Sequence, residues 1–165
     1  MICGLESVNR NKGGVKSIKL IDSAKFISCE FCSDNLSISS YELEEGTEFC
    51  NISYYEDSAY FNQTFSLDRG FTKVKHELSF YVCDADESTN DFLQLMMFAK
   101  IKSLVALVTC NNSDTYLVGF SKEFLAERPL KFSSLETDTA YSPSSRPMTK
   151  VCLLSEDTRG ALKLI

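Results

Sequence analysis

Residues 74–82 read VKHELSFYV, and this stretch decides the fold. Every second position is apolar or histidine: Val74, His76, Leu78, Phe80 and Val82. The positions between them are polar or tyrosine. In an extended chain, alternate side chains point to opposite faces, so this pattern gives one buried face and one face in solvent. The stretch therefore predicts a half-buried strand of an antiparallel sheet.

Segments nearer the N-terminus also predict strands. Residues 15–21 alternate and end at the polar pair Asp22-Ser23, and residues 25–31 are typical of a second short strand. The polar residues 33–40 predict a loop.

The strongest β signal comes from the aromatic-rich residues 47–68. The sequence EDS at residues 56–58 interrupts this run and predicts a hairpin turn, and DRG at 68–70 predicts a further turn. Residues 104–120, LVALVTCNNSDTYLVGF, predict another hairpin, because NNSD is rich in residues that tolerate left-handed backbone.

One segment, about residues 89–102, predicts a helix. Ser88 or Thr89 can cap its start, and Asp91 lies in the first turn, where the helix dipole favours an acid. Apolar residues then recur at helical spacing: Phe92, Leu95, Met96 and Ala99. We expect this helix to pack on the sheet.

The remaining segments complete the predicted architecture. Residues 1–14 predict an extended N-terminal arm, residues 121–148 are less regular, and residues 148–154 and 161–165 are two short apolar runs. The order of strands, one helix and more strands predicts a mainly β protein. We expect an antiparallel β-sandwich or barrel with one flanking α-helix, formed as a single domain by residues 15–165.

Composition limits the function classes. The chain has 165 residues, a formal net charge of −6 and a pI of about 4.9, and no basic run exceeds two residues. We therefore expect no specific nucleic-acid binding. No apolar run approaches the roughly 20 residues that span a bilayer, and the N-terminus lacks the regions of a signal peptide. These features predict a protein made in a cytosol, without a membrane partner.

No residue pattern indicates a catalytic, cofactor-binding or metal-binding site. The seven cysteines are scattered, and Cys29 and Cys32 form a single CxxC where a zinc ribbon needs two. The only histidine, His76, lies among apolar residues and favours a core or interface role. A Ser-His-Asp or Cys-His arrangement at His76 stays open but has no supporting motif. The acidic groups at 42–48 and 84–87 favour solvated loops.

The order of these features resembles small virion structural proteins of tailed phages infecting Bacteroidetes, the tail-tube-like group. Five stretches carry the resemblance: NKGGVKSIKLID (11–22), EEGTEF (44–49), the strand 76–82, the hairpin 104–120 and TDTAY (137–141). The chain differs from the group in its seven cysteines and in SPSSRP (142–147), which stands where the group has a Gly-rich loop.

The resemblance implies a β-sandwich or barrel that associates into rings, often six-fold, which stack into a tube through which DNA passes. It implies homo-oligomer contacts, partners among other phage tail or neck proteins, and a place in the virion tail after assembly in the bacterial host cytoplasm. Residues 47–68 would be a long hairpin in the lumen wall. Whether the chain is a tube subunit or a neck or terminator ring stays open.

Three functions remain to be distinguished. The first is a self-assembling virion protein whose copies pair through edge strands and hairpins, with the 1–14 arm clasping a neighbour. The second is a cytosolic β-sandwich interaction module, without catalytic activity, that stays monomeric until its partner arrives. The third is an enzyme that uses a cysteine or His76. We expect the first, and therefore no catalysis.

Overall fold

The computed structural model describes residues 14–55, 58–83, 97–101, 103–125, 127–138 and 148–165. These residues are mainly β, as predicted. Their strands are β1 Val15–Asp22, β2 Phe26–Phe31, β3 Ser37–Leu43, β4 Cys50–Ile52, β5 Tyr60–Asp68, β6 Phe71–Cys83, β7 Leu104–Cys110, β8 Thr115–Val118, β9 Lys131–Asp138, β10 Met148–Asp157 and β11 Leu162–Leu164. A 3₁₀ turn, Ser23–Lys25, joins β1 to β2, and residues 97–99 are helical.

The strands form two sheets. A seven-stranded sheet has the order β2-β3-β11-β8-β7-β1-β4, and a four-stranded sheet has the order β5-β6-β10-β9. Neighbouring strands are antiparallel except for β3 and β11, which are parallel. This arrangement is compatible with the predicted sandwich or barrel.

The main core lies between the two sheets. From the seven-stranded sheet, β7 contributes Leu104, Ala106 and Val108. From the four-stranded sheet, β6 contributes Leu78, Phe80 and Val82, and β10 contributes Val151 and Leu153. The face of residues 74–82 that alternation predicted to be buried, including His76, is buried in full. The strand itself is longer than predicted, because β6 begins at Phe71.

A second core lies on the other face of the seven-stranded sheet. It contains side chains from six of the seven strands, which are Ile21, Phe26, Ile38, Val105, Leu107, Leu117 and Leu162, together with Phe120. Nearly all strands of this one sheet contribute side chains to the same cluster. The sheet therefore curls around the cluster. β7 is therefore covered on both faces, which explains its unbroken apolar sequence.

The strict alternation of side chains predicted for β1 is interrupted by a bulge. The pairing of β1 with β7 shifts register between Val15 and Ser17. An extra residue at a bulge changes which face the following side chains occupy. Val15 and Ile18 can therefore both face the main core, although strict alternation places them on opposite faces.

Two sequence predictions were wrong. Residues 33–40 are not all loop, because Ser37 and Ile38 begin β3 and pair with β2 and β11. The Asp34 carboxylate accepts hydrogen bonds from the Leu36 and Ser37 N–H groups at 3.0 and 3.1 Å, which starts the strand and lowers the pKa of Asp34. The strands on either side of the turn predicted at 56–58 form no hairpin with each other, because β4 lies in one sheet and β5 in the other.

The other predicted elements have mixed outcomes. The hairpin at 104–120 and the turn at 68–70 are confirmed, whereas β9 lies in a region that was read as irregular. Of the predicted helix at 89–102, residues 97–99 are helical, and Phe98 and Ile101 pack on the main core. The rest of that helix, and the arm at 1–14 apart from Gly14, lie outside the described residues.

Gly119 lies against the backbone link between Leu104 and Leu130, so a substitution at this residue tests that link. It has φ +94°, and a Cβ there would lie 2.6 Å from the Leu104 carbonyl oxygen and 3.0 Å from the Leu130 nitrogen. Leu104 and Leu130 exchange two backbone hydrogen bonds of 2.9 Å, which link the start of β7 to the residue before β9. A methyl group at residue 119 would push this link apart.

We expect Gly119→Ala to lower the free energy of unfolding by at least about 2 kcal/mol more than Gly46→Ala does. Gly46 has φ +77° and open space around its Cβ position, so Gly46→Ala carries only the strain of a left-handed alanine, about 1 kcal/mol. Urea unfolding of both variants measures the difference. Equal losses would show that the contact at Gly119 is unimportant.

Candidate functional site

Strand β5 forms one edge of the four-stranded sheet. It pairs with β6 through nine consecutive residues without a register shift, from Tyr60↔Ser79 to Asp68↔Phe71. No other described strand pairs with it. Alternate residues of an edge strand turn their backbone N–H and C=O groups away from the sheet, where another strand can bind them.

This edge lacks the features that usually prevent pairing between molecules. Proteins guard sheet edges with lysine, proline, bulges or very short strands. The sequence of β5, YFNQTFSLD, contains no Lys, Arg or Pro, and its single acid is the last residue. β5 is therefore a long, regular and almost uncharged template for a further strand.

β9 forms the opposite edge of the same sheet. It has eight residues against nine in β5, and its pairing with β10 shifts register between Cys152 and Leu153. β5 is antiparallel to β6, β6 to β10, and β10 to β9. Because the sheet has an even number of alternating strands, its two edge strands run in opposite directions.

The end of the β5–β6 hairpin carries large exposed apolar side chains. Phe65, Leu67 and Phe71 are 63%, 80% and 77% exposed. They flank a two-residue turn in which Arg69 and Gly70 have φ +50° and +84°, the geometry that matches the twist of paired strands. We call residues 65–73 the hairpin tip. Nothing in the described structure buries these three side chains.

The other half of the hairpin is held firmly. Phe61 packs against the main core, and the Gln63 side chain accepts a hydrogen bond from the Ala161 N–H at 2.9 Å. On the opposite face, the Tyr60 hydroxyl donates to Glu77 at 3.3 Å. The hairpin is thus anchored near residues 60–63 and presents its apolar tip to solvent.

The sequence located this surface only in part. Residues 47–68 were predicted as one long hairpin, but β4 pairs with β1, and only residues 60–68 form a hairpin, together with β6. Phe71 was not singled out. The signal that could have found it is FSLDRGF at 65–71, in which apolar residues flank a two-residue turn on both sides.

The outward face of the four-stranded sheet carries charged side chains of both signs in nearly equal numbers. The strand register places four lysines there, Lys73, Lys75, Lys131 and Lys150, and three glutamates, Glu77, Glu136 and Glu156. Lys73 and Glu156 form an ion pair at 3.2 Å. The negative charge of the whole chain is therefore not concentrated on this face.

His76 is buried in the main core and lies beside the Phe61 ring, with the two ring centroids 6.1 Å apart. Neither ring nitrogen has a hydrogen-bond partner among the described residues. Burial lowers the pKa of His76 to about 4, against a smaller opposing effect of the Arg159 backbone. The histidine is therefore neutral near pH 7, and within the described structure no serine, cysteine or carboxylate pairs with it.

Two of the described cysteines, Cys29 and Cys152, do not resemble activated thiols. Cys29 and Cys32 form no disulfide, and burial raises the pKa of Cys29 to about 11. Burial and the nearby Glu77 carboxylate raise the pKa of Cys152, whose thiol donates to that carboxylate at 3.6 Å. Reactive cysteines have a lowered pKa, whereas the pKa values of Cys29 and Cys152 are raised. These two thiols are therefore protonated near pH 7.

Two further searches cover the described ranges. No group of three or more His, Cys, Asp or Glu side chains there is arranged to hold a metal ion. No helix in the same residues is both long and apolar enough to cross a membrane.

Comparisons with protein-family models, with curated proteins and with solved structures found no significant match. The resemblance to tail-tube-like proteins therefore stays a prediction from the sequence.

His76 predicts a pH dependence of stability. The unfolded chain binds a proton at this residue near pH 6.5, whereas the folded chain binds it only near pH 4. Acid therefore favours unfolding between these values, and the cost reaches about 3 kcal/mol at the lower end. The His76→Leu variant has no titrating group at this position. Between pH 6.5 and pH 4, we therefore expect its free energy of unfolding to fall less than that of the wild type, by about this amount.

Urea unfolding at several pH values measures this slope. Leu78→Met, on the same face of β6, is the control and should keep the wild-type slope, because carboxylates elsewhere titrate equally in both proteins. A His76→Leu protein with the wild-type slope would contradict the burial of a neutral histidine.

Proposed function

We propose that this chain is a self-assembling structural protein whose copies join through the edges of their four-stranded sheets. The observation that carries the proposal is β5, a nine-residue edge strand without guarding charges, prolines or bulges. A strand of this kind is prone to pair with another chain. In a functional protein, such an edge is best explained by a partner strand in the assembled state.

Head-to-tail pairing of β5 with the β9 of a neighbouring copy fits the sheet directions. The two edge strands of one copy run in opposite directions, so β9 of one copy and β5 of the next are antiparallel when the sheets continue side by side. Each copy then adds four strands to one continuous antiparallel sheet. A repeated head-to-tail contact closes into a ring when its rotation divides a full turn. Such a ring has no free edge in that sheet.

The outward face of the four-stranded sheet is suited to line a conduit. In a closed ring of such sheets, the seven-stranded sheet and both cores lie on one side, and the polar face lies on the other. Four lysines and three glutamates share that face, so it neither strongly attracts nor strongly repels phosphate groups. DNA could pass such a wall without being held.

These features support the role that the sequence resemblance implies. We propose a virion protein of a phage tail, either a tail-tube subunit or a neck or terminator ring, which assembles in the host cytoplasm as a six-fold ring. Its partners would be copies of itself and other tail or neck proteins. It would act as a structural conduit for DNA, without catalysis and without a cofactor.

The second candidate is an interaction module that receives a strand from a different protein. The same open edge favours it, because β-augmentation also uses an exposed edge strand and pockets for alternate side chains. The two functions differ in the state of the purified protein. An interaction module stays monomeric at every concentration, whereas a ring protein associates as its concentration rises.

Lysines on β5 should prevent ring formation. Asn62 and Thr64 are exposed on this strand, and Asn62→Lys/Thr64→Lys places two cations on the edge without changing the core. We expect the double variant to associate at least tenfold more weakly than the wild type, because charged side chains on an edge strand oppose its pairing with another strand. Light scattering over a concentration range, with negative-stain images of the same fractions, measures the change.

Ser39→Lys is the matched control, because Ser39 is exposed on β3, which has neighbours on both sides. It should assemble like the wild type. A wild-type protein that is monomeric throughout would contradict self-assembly and favour the interaction module. Rings that tolerate both β5 lysines would place the contact elsewhere.

A further inference from the structure

The exposed apolar side chains of the β5–β6 hairpin lie on two different faces. Phe65 pairs with Val74, which belongs to the buried face of β6, whereas Phe71 pairs with Asp68. Residues directly opposite each other on paired strands share a face, and so do residues two apart on one strand. Phe65 and Leu67 therefore lie on the core side of the four-stranded sheet, at its open edge, and Phe71 lies on the outward side.

The opposite edge strand, β9, has the same arrangement on its core side. Leu135 pairs with Val151 and Phe132 pairs with Leu153, and both of these β10 residues are buried in the main core. Phe132 packs partly against that core, whereas Leu135 is 37% exposed. Both edges of the sheet thus carry apolar side chains on the core side that their own copy covers only in part.

The spacing of the apolar side chains is the same at both edges. Leu135 and Phe132 are three residues apart in the sequence, but their partners on β10 are only two apart, because a bulge in β9 takes up the extra residue. The two side chains therefore occupy neighbouring positions on the core side, as Phe65 and Leu67 do on β5. An antiparallel contact between the two edges can match both pairs at once.

The outward sides of the two edges also match, because both are polar. The β5 edge carries Asn62, Thr64 and Ser66 there, and the β9 edge carries Ser134 and Glu136. When the core sides of two copies face the same way, apolar residues lie beside apolar residues and polar beside polar. A neighbour that pairs the other way up sets phenylalanine and leucine beside serine and glutamate.

We infer that the main core continues from one copy into the next across these edges. Phe65 of one copy lies opposite Leu135 of the next. In this register Leu67 lies opposite Phe132, and residues 134–138, the part of β9 without a register shift, pair with five residues of β5. Each contact then covers the exposed apolar groups of both edges.

The inference rests on the proposed function and adds specificity to it. Backbone pairing alone accepts any strand, so β5 of one copy could equally pair with β5 of another. Such a two-fold contact closes a dimer and uses no residue of β9. The matched spacing on the core side favours β9 as the partner of β5, and only that pairing leaves each copy able to join a neighbour on both sides.

Leu135→Asp tests the contact from β9, the strand that Asn62→Lys/Thr64→Lys leaves unchanged. We expect it to associate at least tenfold more weakly than the wild type, because its carboxylate then lies among apolar side chains of the neighbour. Leu36→Asp is the matched control, because Leu36 is also an exposed leucine, at 60%, but lies on neither edge strand. Sedimentation velocity over a concentration range measures association, and far-UV circular dichroism checks folding.

A charge pair tests the register itself. Phe65→Lys should also weaken association at least tenfold, whereas the double variant Phe65→Lys/Leu135→Asp should associate at least tenfold more strongly than either single variant. In the double variant every contact sets a lysine directly opposite an aspartate, and opposite charges at such positions attract. A substitution that only disturbs its own copy gives no recovery. A folded double variant without recovery would therefore overturn the inference.

The remaining outcomes separate this inference from the proposed function. If Leu135→Asp assembles like the wild type while the β5 lysines prevent assembly, β5 pairs with a surface other than β9, and the inference is wrong although edge pairing stands. Assembly that tolerates the β5 lysines would overturn both, because the contact then lies elsewhere. A wild-type protein that is monomeric at every concentration would also overturn both.

Discussion

The double burial of β7 is the constraint on which the rest of the structure depends. Leu104, Ala106 and Val108 face the main core, whereas Val105 and Leu107 face the second one. An apolar strand of this kind is stable only with a layer on each side. The curled seven-stranded sheet provides one layer, and the four-stranded sheet provides the other. Among the described residues, the four-stranded sheet is therefore covered on one face only, and its outward face and its two edge strands, β5 and β9, have no further layer or strand beside them.

The β5–β6 hairpin exposes two features that a protein usually buries. A chain that buries its apolar strands so completely has few reasons to expose phenylalanine and leucine, yet it does so at Phe65, Leu67 and Phe71. On the same hairpin, β5 also forms a long edge strand whose single charged residue is its last. Both features are costly for a monomer, because they promote association. The proposed association between copies would account for both features at once.

Much of the fold could be predicted from local pattern. The alternation at 74–82, the turn at DRG and the hairpin at 104–120 are all set by neighbouring residues, and all three are present. The errors arose where distant pairing decides. Ser37 and Ile38 form a strand because β11 and β2 lie beside them, and β4 and β5, which follow each other along the chain, belong to different sheets. The open edge of β5 could not be predicted either, because which strand ends a sheet depends on the pairing of the whole chain.

The central claim is that β5 pairs with another copy, and amide hydrogen exchange of residues 60–68 tests it most directly. In the monomer, the N–H groups of β5 that point away from β6 have no partner strand and should exchange rapidly. At concentrations where the protein assembles, the account predicts strong protection of these amides, with little change in the β6 amides that are already paired. If the protein assembles while the outward amides of β5 exchange as fast as in the monomer, the edge does not hold the copies together and the account is wrong.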